Sequence, residues 1–559
     1  MLPIFLLILI PFLSLFFFFF FLNTSKSNSK APKSYPLVGS FFAILANQDR
    51  QLQWFSDILL DSPSATFVLR RSYSKRQVFS GDPAVVQHIL KSNFQNYGKG
   101  ETFHSGLTDF LGHGIFNLDG DESWKFQRQV ASHEFNTKSL RKFVETVVDT
   151  ELSDRLIPIL SSAAKDGTVL DFQNIIQRFA FDNICRIAFG FDPVYLSPSL
   201  PQAKFAIAFE DSVRISHGRL TASIPLIWKI KKFFNIGSEK RLKMAISEVK
   251  EYAMNIVKQK KQKLEQLGEK ESLDDDLLSR FLSSGHVDEK FVTDIVISFL
   301  MAGRDTTSAA LTWYFWLLSQ NPEVQSKVVK EIKEHSEVPA YEEVKDLVYV
   351  HASLCECMRL YPPVPLDTKE ALNDDVLPGG TVVKKGMRVS YFPYAMGRLE
   401  SLWGSDWAEF KPERWLQKEE NSKSWRFVQK DSYHYPVFQA GPRICLGKEM
   451  AFLQMKSVVA GVLRRFKLVP AFEREVVEPE YISYLTAKMK GGFPVKIVER
   501  GQDEKWVNSS FLLLNFLWLR LINLDDDVKL MCNFISLSYD QLFTSCSVIF
   551  NVIYSCRSN

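Results

Sequence analysis

The stretch FQAGPRICLG, residues Phe438–Gly447, is followed at once by the helical pattern KEMAFL of Lys448–Leu453. Its one cysteine, Cys445, lies among glycines that let the backbone approach a bulky group and leave N–H groups free to bond the sulfur. The helix that follows points its positive end at the same sulfur, which favours the thiolate. The stretch therefore predicts a cysteine that is kept ionised and away from water.

Such a cysteine is suited to bind haem iron, because a thiolate pushes electron density towards oxygen bound on the opposite side. Arg443 can neutralise a haem propionate. The competing interpretation is a buried structural cysteine in a glycine-rich turn. The whole pattern F-x-x-G-x-R-x-C-x-G favours the haem ligand, and it is made by Phe438, Gly441, Arg443, Cys445 and Gly447.

This pattern resembles the haem-binding motif of the cytochrome P-450 family, and the resemblance covers roughly residues 35–500. It implies a mainly α fold with small β-sheets in a single large domain. It also implies haem b, with the Cys445 thiolate as the iron ligand, and electrons that come from NADPH through a reductase.

A second motif, AGRDTT at Ala302–Thr307, lies in the middle of the longest apolar-periodic stretch, Val292–Ser319. This stretch predicts a helix roughly 40 Å long. A threonine can bond back to the carbonyl four residues earlier, and a hydroxyl beside a carboxylate can relay protons. The resemblance implies that Thr306 is the oxygen-activating alcohol and Asp305 its acidic neighbour. The residues alone are equally consistent with an ordinary buried Ser/Thr patch.

A third motif pairs Glu356 with Arg359, three residues apart on one helix face. As a surface pair they would contribute only a few tenths of a kcal/mol. The resemblance implies instead a buried network in which Arg414 joins them. Its role is to hold the polypeptide around the cysteine loop, as we call Phe438–Gly447, and not to carry out chemistry.

A fourth motif places Trp124 and Arg128 on one helix face, where both can donate to a carboxylate. The resemblance implies that this carboxylate is a haem propionate. Lys369 stands where many relatives have another propionate-binding arginine, although a lysine lacks the bidentate fork. The alternative for the first pair is a tryptophan in the core beside a solvated arginine.

Longer segments resemble the plant fatty-acid ω-hydroxylases, a group that also contains enzymes that hydroxylate jasmonoyl-isoleucine at its chain end. These segments are DGDESWKFQRQVASHEFNTKSLRKF, RFAFDNICRIAFGFDP, LRLYPPVPLDTKEA and LTAKMKGGFPV. Some animal ω-hydroxylases carry a haem-linked glutamate where this protein has Ala302, so no such bond is expected here. The candidate substrate residues, each of which is otherwise a core residue, are Phe103, Phe299, Ala302, Leu366, Leu485 and Thr486.

The expected activity is hydroxylation of the terminal carbon of medium- to long-chain fatty acids with O2 and NADPH-derived electrons. The first alternative is ω (12-) hydroxylation of jasmonoyl-isoleucine, which is hormone catabolism. A more remote alternative is a haem-thiolate isomerase that rearranges hydroperoxides without a reductase. The pair Asp305 and Thr306 favours a monooxygenase, because an isomerase needs no proton relay. The complete set of four motifs disfavours a scaffold without catalysis.

Composition agrees with a folded, reduced protein. Hydrophobic residues make up 46% and charged residues 24%, which is sufficient to form a core. The formal net charge of +4 is small for 559 residues and argues against nucleic acid binding. Seven cysteines without paired spacing indicate neither a disulfide framework nor a zinc site.

The N-terminus predicts a retained membrane anchor. Residues 1–22 contain no charge, and about 20 apolar residues span a bilayer as a helix. Lys26, Lys30 and Lys33 follow, which predicts a single-pass endoplasmic reticulum protein whose catalytic domain faces the cytosol. Residues 23–36 are interpreted as a polar, proline-containing hinge, residues 37–500 as the haem-thiolate domain, and residues 501–559 as a tail of unassigned role.

Several further elements can be predicted. A hairpin is expected from Phe67–Arg70 and Gln77–Ser80, and a helix from Asp82–Ser92 with Asp82 as its N-cap. Ser238–Leu267 predicts a long basic amphipathic helix. Ile224–Phe234 mixes aromatic, aliphatic and lysine side chains, and this composition predicts contact with membrane lipids. A basic face for reductase docking is expected from Lys125, Arg141, Lys142, Lys448 and Lys456, each of which is otherwise a solvated charge.

Overall fold

The computed structural model describes Pro11 and residues 32–501, apart from 37, 73–74, 202–203, 268–275, 285–287, 337–340, 419–424 and 473–477. The predicted anchor and the tail beyond residue 501 therefore lie outside the described residues, except for Pro11. Of the predicted hinge, residues 32–36 are described, and Tyr35 forms a β-bridge with Gly39. Within the described ranges, no helix combines the length and the apolar character that crossing a bilayer requires.

The domain is mainly helical with small sheets, as predicted. Its helices are α1 Phe41–Ala46, α2 Gln51–Leu60, α3 Pro83–Gln87, α4 Gly100–Leu111, α5 Glu122–Ser132, α6 Thr137–Lys142, α7 Asp149–Glu151, α8 Ile157–Asp166, α9 Phe172–Phe189, α10 Lys204–Thr221, α11 Pro225–Phe234, α12 Gly237–Leu267, α13 Leu277–Ser283, α14 Glu289–Gln320, α15 Pro322–Lys333, α16 Tyr341–Asp346, α17 Val348–Leu360, α18 Pro393–Met396, α19 Glu400–Trp403 and α20 Lys448–Arg465.

The strands are short. They are β1 Thr66–Arg70, β2 Arg76–Ser80, β3 Tyr97–Gly98, β4 Val169–Asp171, β5 Asp367–Ala371, β6 Asp375–Val376, β7 Val382–Val383, β8 Arg388–Tyr391, β9 Leu416–Lys418, β10 Trp425–Phe427, β11 Phe466–Pro470, β12 Tyr481–Ser483, β13 Ala487–Met489 and β14 Pro494–Glu499. The main sheet has the order β1-β2-β8-β5-β3, and a second sheet has the order β11-β14-β4. The pairs β6/β7, β9/β10 and β12/β13 are two-stranded.

Local chemistry explains why these elements begin where they do. The Asp82 carboxylate accepts from the backbone N–H of Ala84 at 2.9 Å, and Pro83 occupies the first turn of α3. The predicted helix continues beyond α3 as a π-helical turn over His88–Ser92. Asp121 caps α5 in the same way, by accepting from the N–H of Trp124 at 2.8 Å. The predicted hairpin is confirmed as β1 and β2, which pair antiparallel.

The predicted long helix is confirmed as α14, which is 32 residues long and begins three residues before the predicted start. It packs along α9 and α12 and also contacts α17, α20 and β13. Most of its residues from Val292 to Leu318 are buried, because they face other elements on nearly every side. A helix in this position lies in the core and also contacts helix α20, which begins directly after the cysteine loop.

Candidate active site

The cysteine loop lies between a short helical turn at Pro436–Phe438 and helix α20. Gly441 has φ +63°, and a side chain there would collide with the backbone carbonyl of Leu90. The N–H of Cys445 donates to the carbonyl of Phe438 at 2.9 Å, which closes the loop. The sulfur accepts a hydrogen bond from the N–H of Gly447, one residue before α20 begins. The predicted arrangement of glycine, cysteine and helix start is therefore present.

Electrostatics at the sulfur act in two directions. Burial raises the pKa of the Cys445 thiol above its ordinary value, while the N–H of Gly447 and the charges of Arg128 and Lys448 lower it. The side chain is nevertheless exposed, because it opens onto an internal cavity while protein surrounds it elsewhere. The N–H of Gly447, Arg128 and Lys448 thus stabilise negative charge on the sulfur, and a metal ion bound there would add the further positive charge that keeps the thiolate ionised.

The cavity has a volume of about 830 Å³ and lies between the cysteine loop and α14. Cys445, Phe438 and Gly447 line it on one side, and Thr306 lines it from α14. All six predicted substrate residues reach the same cavity, namely Phe103, Phe299, Ala302, Leu366, Leu485 and Thr486. The structure therefore brings together residues that lie almost 400 positions apart in the sequence.

In the middle of α14, the motif Ala302–Thr307 has the predicted hydrogen bond from the threonine to the carbonyl four residues earlier. The hydroxyl of Thr306 donates to the carbonyl of Ala302 at 2.6 Å. Close packing requires a glycine at position 303, because a β-carbon there would come within 2.6 Å of the Ile184 side chain on α9. The helix stays continuous, and the Thr306 hydroxyl is held at the cavity wall.

Asp305 does not line the cavity. It is 2% exposed, and its carboxylate lies 3.2 Å from the guanidinium of Arg304. Arg304 in turn lies over the ring of Phe209, at 5.3 Å from the ring centroid. The predicted acidic neighbour of Thr306 therefore points into a buried ion pair behind the cavity wall.

Of the four predicted propionate contacts, Arg128 and Arg443 line the cavity, whereas Trp124 and Lys369 do not. Arg128 donates to the carbonyl of Ile444 at 2.9 Å, and Arg443 donates to the carbonyl of Leu118 at 2.9 Å. Trp124 is buried and does not line the cavity, and both guanidinium groups lie over its ring, at 5.4 and 4.7 Å from the centroid. Trp124 therefore positions the two cations, whereas the prediction had it donate beside Arg128.

Lys369 also differs from its predicted place. It is 1% exposed, does not line the cavity, and pairs with Asp367 at 2.6 Å. The cation that reaches the cavity here is Lys99, which lies 3.8 Å from the other oxygen of Asp367. Burial lowers the pKa of Lys99 to about 7, and Asp367 opposes this while Lys369 and Arg443 add to it.

Lys99 and Asp367 are functional candidates that the sequence did not reveal. Burial alone would raise the pKa of Asp367, but Lys369 and Lys99 hold it well below its usual range. The amide of Gln439, in the cysteine loop, also donates to Asp367 at 2.6 Å. The only signal for Lys99 was a charged residue between two glycines, which is too common to single out.

The predicted network behind the cysteine loop is formed in the structure. Arg359 donates twice to Glu356, at 2.8 Å each, and Arg414 donates to the same carboxylate at 3.1 Å. Both Glu356 and Arg359 are fully buried, and the indole of Trp415 donates to Glu356 at 2.9 Å. Arg359 also bonds the backbone carbonyls of Gly397 and Glu409. The network ties α17 to the segment that leads to the cysteine loop.

One candidate for the reductase face is wrong. Lys456 is only 4% exposed, donates to the carbonyl of Lys345 at 2.8 Å, and has its pKa lowered by burial to about 8. It faces inward because it lies on the side of α20 that packs against the core. Lys125 and Lys142 are exposed, and Arg141 is paired with Glu342.

The site residues fit a haem group. The Cys445 thiol opens onto the cavity, Ala302 and Gly303 present little bulk on the wall formed by α14, and apolar side chains form much of the rest. Arg128, Arg443 and Lys99 all line the cavity, and burial lowers the pKa of each, so an anionic group beside them would be stabilised. Two propionates on a flat apolar macrocycle match this distribution of charge.

Comparison with known proteins gives a consistent match. The family model described as Cytochrome P450 matches residues 30–490. Cytochrome P450 94A2 of Vicia sativa is 63% identical over 478 residues, which are 85% of this chain and 93% of the relative. Cytochrome P450 94A1 of Vicia sativa is 62% identical over 470 residues, 84% of this chain and 90% of the relative. Cytochrome P450 94B1 of Arabidopsis thaliana is 48% identical over 484 residues, 86% of this chain and 94% of the relative.

Proposed function

The chain belongs to the cytochrome P450 family, and from that premise we propose that it hydroxylates the terminal carbon of medium- to long-chain fatty acids. The observation that carries the proposal is the single cavity that joins Cys445, Thr306 and the six predicted substrate residues. Its apolar lining suits an alkyl group, and its volume of about 830 Å³ lies within the usual range of ligand cavities.

As a family member the protein is a haem-thiolate monooxygenase, an oxidoreductase that draws electrons from NADPH through a reductase and acts on a lipophilic substrate. Haem, when bound, supplies the oxygen-activating chemistry. We assign Cys445 as the iron ligand, with its charge supported by the N–H of Gly447 and by Arg128. Arg128, Arg443 and Lys99 would hold the propionates, and the Glu356 network would keep the loop in place.

Thr306 is the residue best placed to handle protons. Its hydroxyl lies at the cavity wall and donates to the Ala302 carbonyl, so a small rotation would let it donate into the cavity. A positioned hydroxyl can pass a proton to oxygen that is being reduced. Asp305 would contribute through the backbone of α14 or after a change of side-chain rotamer, since its carboxylate now pairs with Arg304.

The proposed choice of carbon depends on how narrow the cavity is near Cys445. The C–H bonds of internal methylene groups are weaker than those of a terminal methyl group, so terminal attack requires that only the end of the substrate can reach the iron. Phe103, Phe299 and Leu366 are bulky apolar side chains that line the cavity, and together they would restrict its width. The carboxylate would then lie at a distance from Cys445.

The second candidate is ω (12-) hydroxylation of jasmonoyl-isoleucine. This substrate also joins an apolar tail to a carboxylate, so the same lining can accept it. A hydroperoxide isomerase is a more remote candidate, because it has no use for the Thr306 hydroxyl at the cavity wall. Dependence of product formation on NADPH and the reductase separates an isomerase from a monooxygenase.

The proposed setting is the endoplasmic reticulum membrane, with the catalytic domain on the cytosolic side. The uncharged stretch at residues 1–22 and the lysines that follow support it. Membrane lipids would also deliver apolar substrates to the cavity.

The deciding experiment incubates membranes that contain the full-length protein and a reductase with a fatty acid and, separately, with jasmonoyl-isoleucine. Mass spectrometry of the products locates the hydroxyl group. We expect NADPH-dependent product with the hydroxyl on the terminal carbon of the fatty acid. Oxidation mainly at internal carbons would contradict the narrow channel, and turnover of the jasmonate conjugate alone would move the assignment to hormone catabolism.

A further inference from the structure

Two guanidinium groups in the cavity wall take no part in the mechanism described so far. Arg71 and Arg388 both line the cavity, as does Gln77 between them, and the sequence motifs singled out none of the three. Their side chains are partly open to the cavity and otherwise enclosed by protein.

The main sheet holds these three residues together. Gln77 on β2 is the register partner of Arg388 on β8, and Arg71 directly follows β1, which pairs with β2. The Gln77 amide nitrogen donates to the Ser390 hydroxyl at 2.8 Å, which leaves its carbonyl oxygen to accept from Arg71 at 3.1 Å. Arg388 reaches the carbonyl of Leu220, at the end of α10, at 3.5 Å. The positions of both guanidinium groups are therefore defined by rigid elements.

Within the described residues, neither arginine forms an ion pair, whereas three other cations that line the cavity do. Arg214 pairs with Asp211 at 2.9 Å, Lys490 with Glu480 at 2.8 Å, and Lys99 with Asp367 at 3.8 Å. Glu370 is the register partner of Arg388 on β5 and attracts it, but the two groups are not in ion-pair contact.

The two arginines therefore concentrate positive charge in a place with little water. Burial lowers the pKa of Arg71 to about 9, with Arg388 as the second cause, so that Arg71 is still cationic at neutral pH. Burial also lowers the pKa of Arg388. Enclosed like charges without a counter-ion are costly, and an anion between them would remove that cost.

Their place in the sheet separates them from the haem-facing charges. Arg388 is the first residue of β8 and Tyr391 is the last. The Tyr391 hydroxyl donates to Asp367 at 3.0 Å, and Asp367 is the ion-pair partner of Lys99 and Lys369. Three residues of strand correspond to about 10 Å. An anion at Arg388 would thus lie in the same cavity as the propionates, but at a different point along the wall.

We propose that Arg71 and Arg388, with the Gln77 carbonyl orienting Arg71, bind the carboxylate of the substrate and so position its apolar tail for attack at the far end. The assignment rests on the proposed function, in which the substrate is an apolar acid. Guanidinium groups suit this task, because they bind carboxylates through two parallel N–H donors and stay charged when buried. Fatty acids and jasmonoyl-isoleucine share this carboxylate, so the site serves either one.

The test measures binding to the full-length, haem-loaded protein by the change in the haem absorption spectrum. Two pairs of probes are compared, namely dodecanoic acid with its methyl ester, and jasmonoyl-isoleucine with its methyl ester. In the parent protein we expect the acid of at least one pair to bind about 10- to 100-fold more tightly than its ester. Arg71→Gln and Arg388→Gln should each remove most of that preference and leave the affinity for the ester nearly unchanged.

Lys490→Gln is the matched control, because Lys490 also lines the cavity but already pairs with Glu480. It should keep the preference for the acid. Equal affinity of acid and ester in the parent for both pairs would overturn the proposal, whether or not the variants fold. Variants that keep the thiolate-type spectrum and the full preference for the acid would overturn it as well.

Failure of the carboxylate site is distinguishable from failure of the proposed function. If only the carboxylate site is wrong, the parent still hydroxylates the terminal carbon of the acid, and the arginine variants do so with unchanged affinity. If the proposed function is wrong, the parent gives no terminal hydroxylation of any of the four probes.

Discussion

At the scale of single residues, the assignment of haem as the cofactor depends on Cys445. Its sulfur opens onto the cavity and accepts the N–H of Gly447. We expect Cys445→Ser to abolish the thiolate-type spectrum of the reduced carbon monoxide complex, because a hydroxyl cannot replace the thiolate as a strong donor. Cys355→Ser is the control, since Cys355 is buried away from the cavity and should retain the spectrum. An unchanged spectrum in the Cys445 variant would refute the ligand assignment.

Thr306 carries the proposed proton transfer. In Thr306→Ala we expect haem binding and NADPH consumption to persist, while hydroxylated product falls at least about tenfold and hydrogen peroxide rises. Thr312→Ala is a matched control, because Thr312 makes the same back-bond on α14, to Ser308 at 2.7 Å, without lining the cavity. The measurement is the ratio of product to NADPH consumed. Equal ratios in parent and Thr306 variant would remove Thr306 from the relay.

His351 makes stability depend on pH. Its ring stacks on Phe452 at 4.1 Å between centroids, and burial, then Lys456 and Lys448, lower its pKa to about 3. Between pH 6.5, the ordinary value, and pH 3 the unfolded protein takes up a proton that the folded protein does not. This residue's contribution to stability is therefore complete above pH 6.5 and is lost as the pH falls, by about 2 kcal/mol at pH 5.

The experiment follows urea unfolding of the parent and of His351→Phe at pH 7.5 and pH 5. The loss of stability on acidification should be smaller in the variant by about 2 kcal/mol. His133→Gln serves as the control, because His133 is exposed and should not change the pH dependence. The same loss in His351→Phe as in the parent would contradict the buried, neutral imidazole.

At the scale of elements, helix α11 is unusual in having no buried residue. Phe233 is 83% exposed and Phe234 is 64% exposed, and Lys229, Lys231 and Lys232 lie on the same helix. An apolar face flanked by lysines is typical of a helix that lies in the membrane interface. The structure thus presents as a helix the segment that the sequence singled out for lipid contact.

We expect a protein without residues 2–22 to remain partly membrane-associated through α11. Adding Phe233→Ser and Phe234→Ser should weaken binding to vesicles at least tenfold, since each buried phenylalanine contributes about 1.5–3 kcal/mol. Met244→Ser on α12 is the control, because Met244 is 65% exposed but lies outside α11. Sedimentation with vesicles measures the bound fraction. A fully soluble truncated protein would count against the prediction.

At the scale of the whole molecule, the reductase must approach the side of the protein that carries the cysteine loop. After Lys456 is excluded, the exposed candidates are Lys125 on α5 and Arg141 and Lys142 on α6, with Lys448 half-buried at the start of α20. Lys125 already contacts Glu122 at 2.6 Å, in a surface pair that a partner's carboxylate can replace.

We expect the apparent affinity for the reductase to fall as salt rises from about 0.01 to 0.3 M, because exposed charges are screened over this range. Lys125→Glu with Lys142→Glu should weaken the affinity several-fold at low salt and flatten its salt dependence. Lys243→Glu on α12 is the control, since it is exposed but lies on a different helix. Turnover against reductase concentration measures the effect. Affinity that is independent of salt would contradict a basic docking face.

Local sequence pattern was sufficient to predict several elements and contacts of the structure. The cysteine loop, α14 with its Thr306 back-bond, the β1–β2 hairpin and the Asp82 cap all depend on residues close in sequence, through hydrogen bonds and backbone angles that short stretches determine. The pairing of Glu356 with Arg359 is also local. Arg414 was added by resemblance, and the structure places it on Glu356.

Tertiary structure decided which charged side chains face the cavity. Lys99 lines the cavity, whereas Lys369 does not. The ring of Trp124 packs against the guanidinium groups of Arg128 and Arg443. Asp305 pairs with Arg304, and Lys456 is buried on α20. Arg71 and Arg388 became neighbours only because β2 pairs with both β1 and β8. Which face of a strand or helix meets a cavity depends on packing between elements hundreds of residues apart. The sequence by itself therefore determined the chemistry of the site, whereas sheet register and helix packing decided which charges enter it.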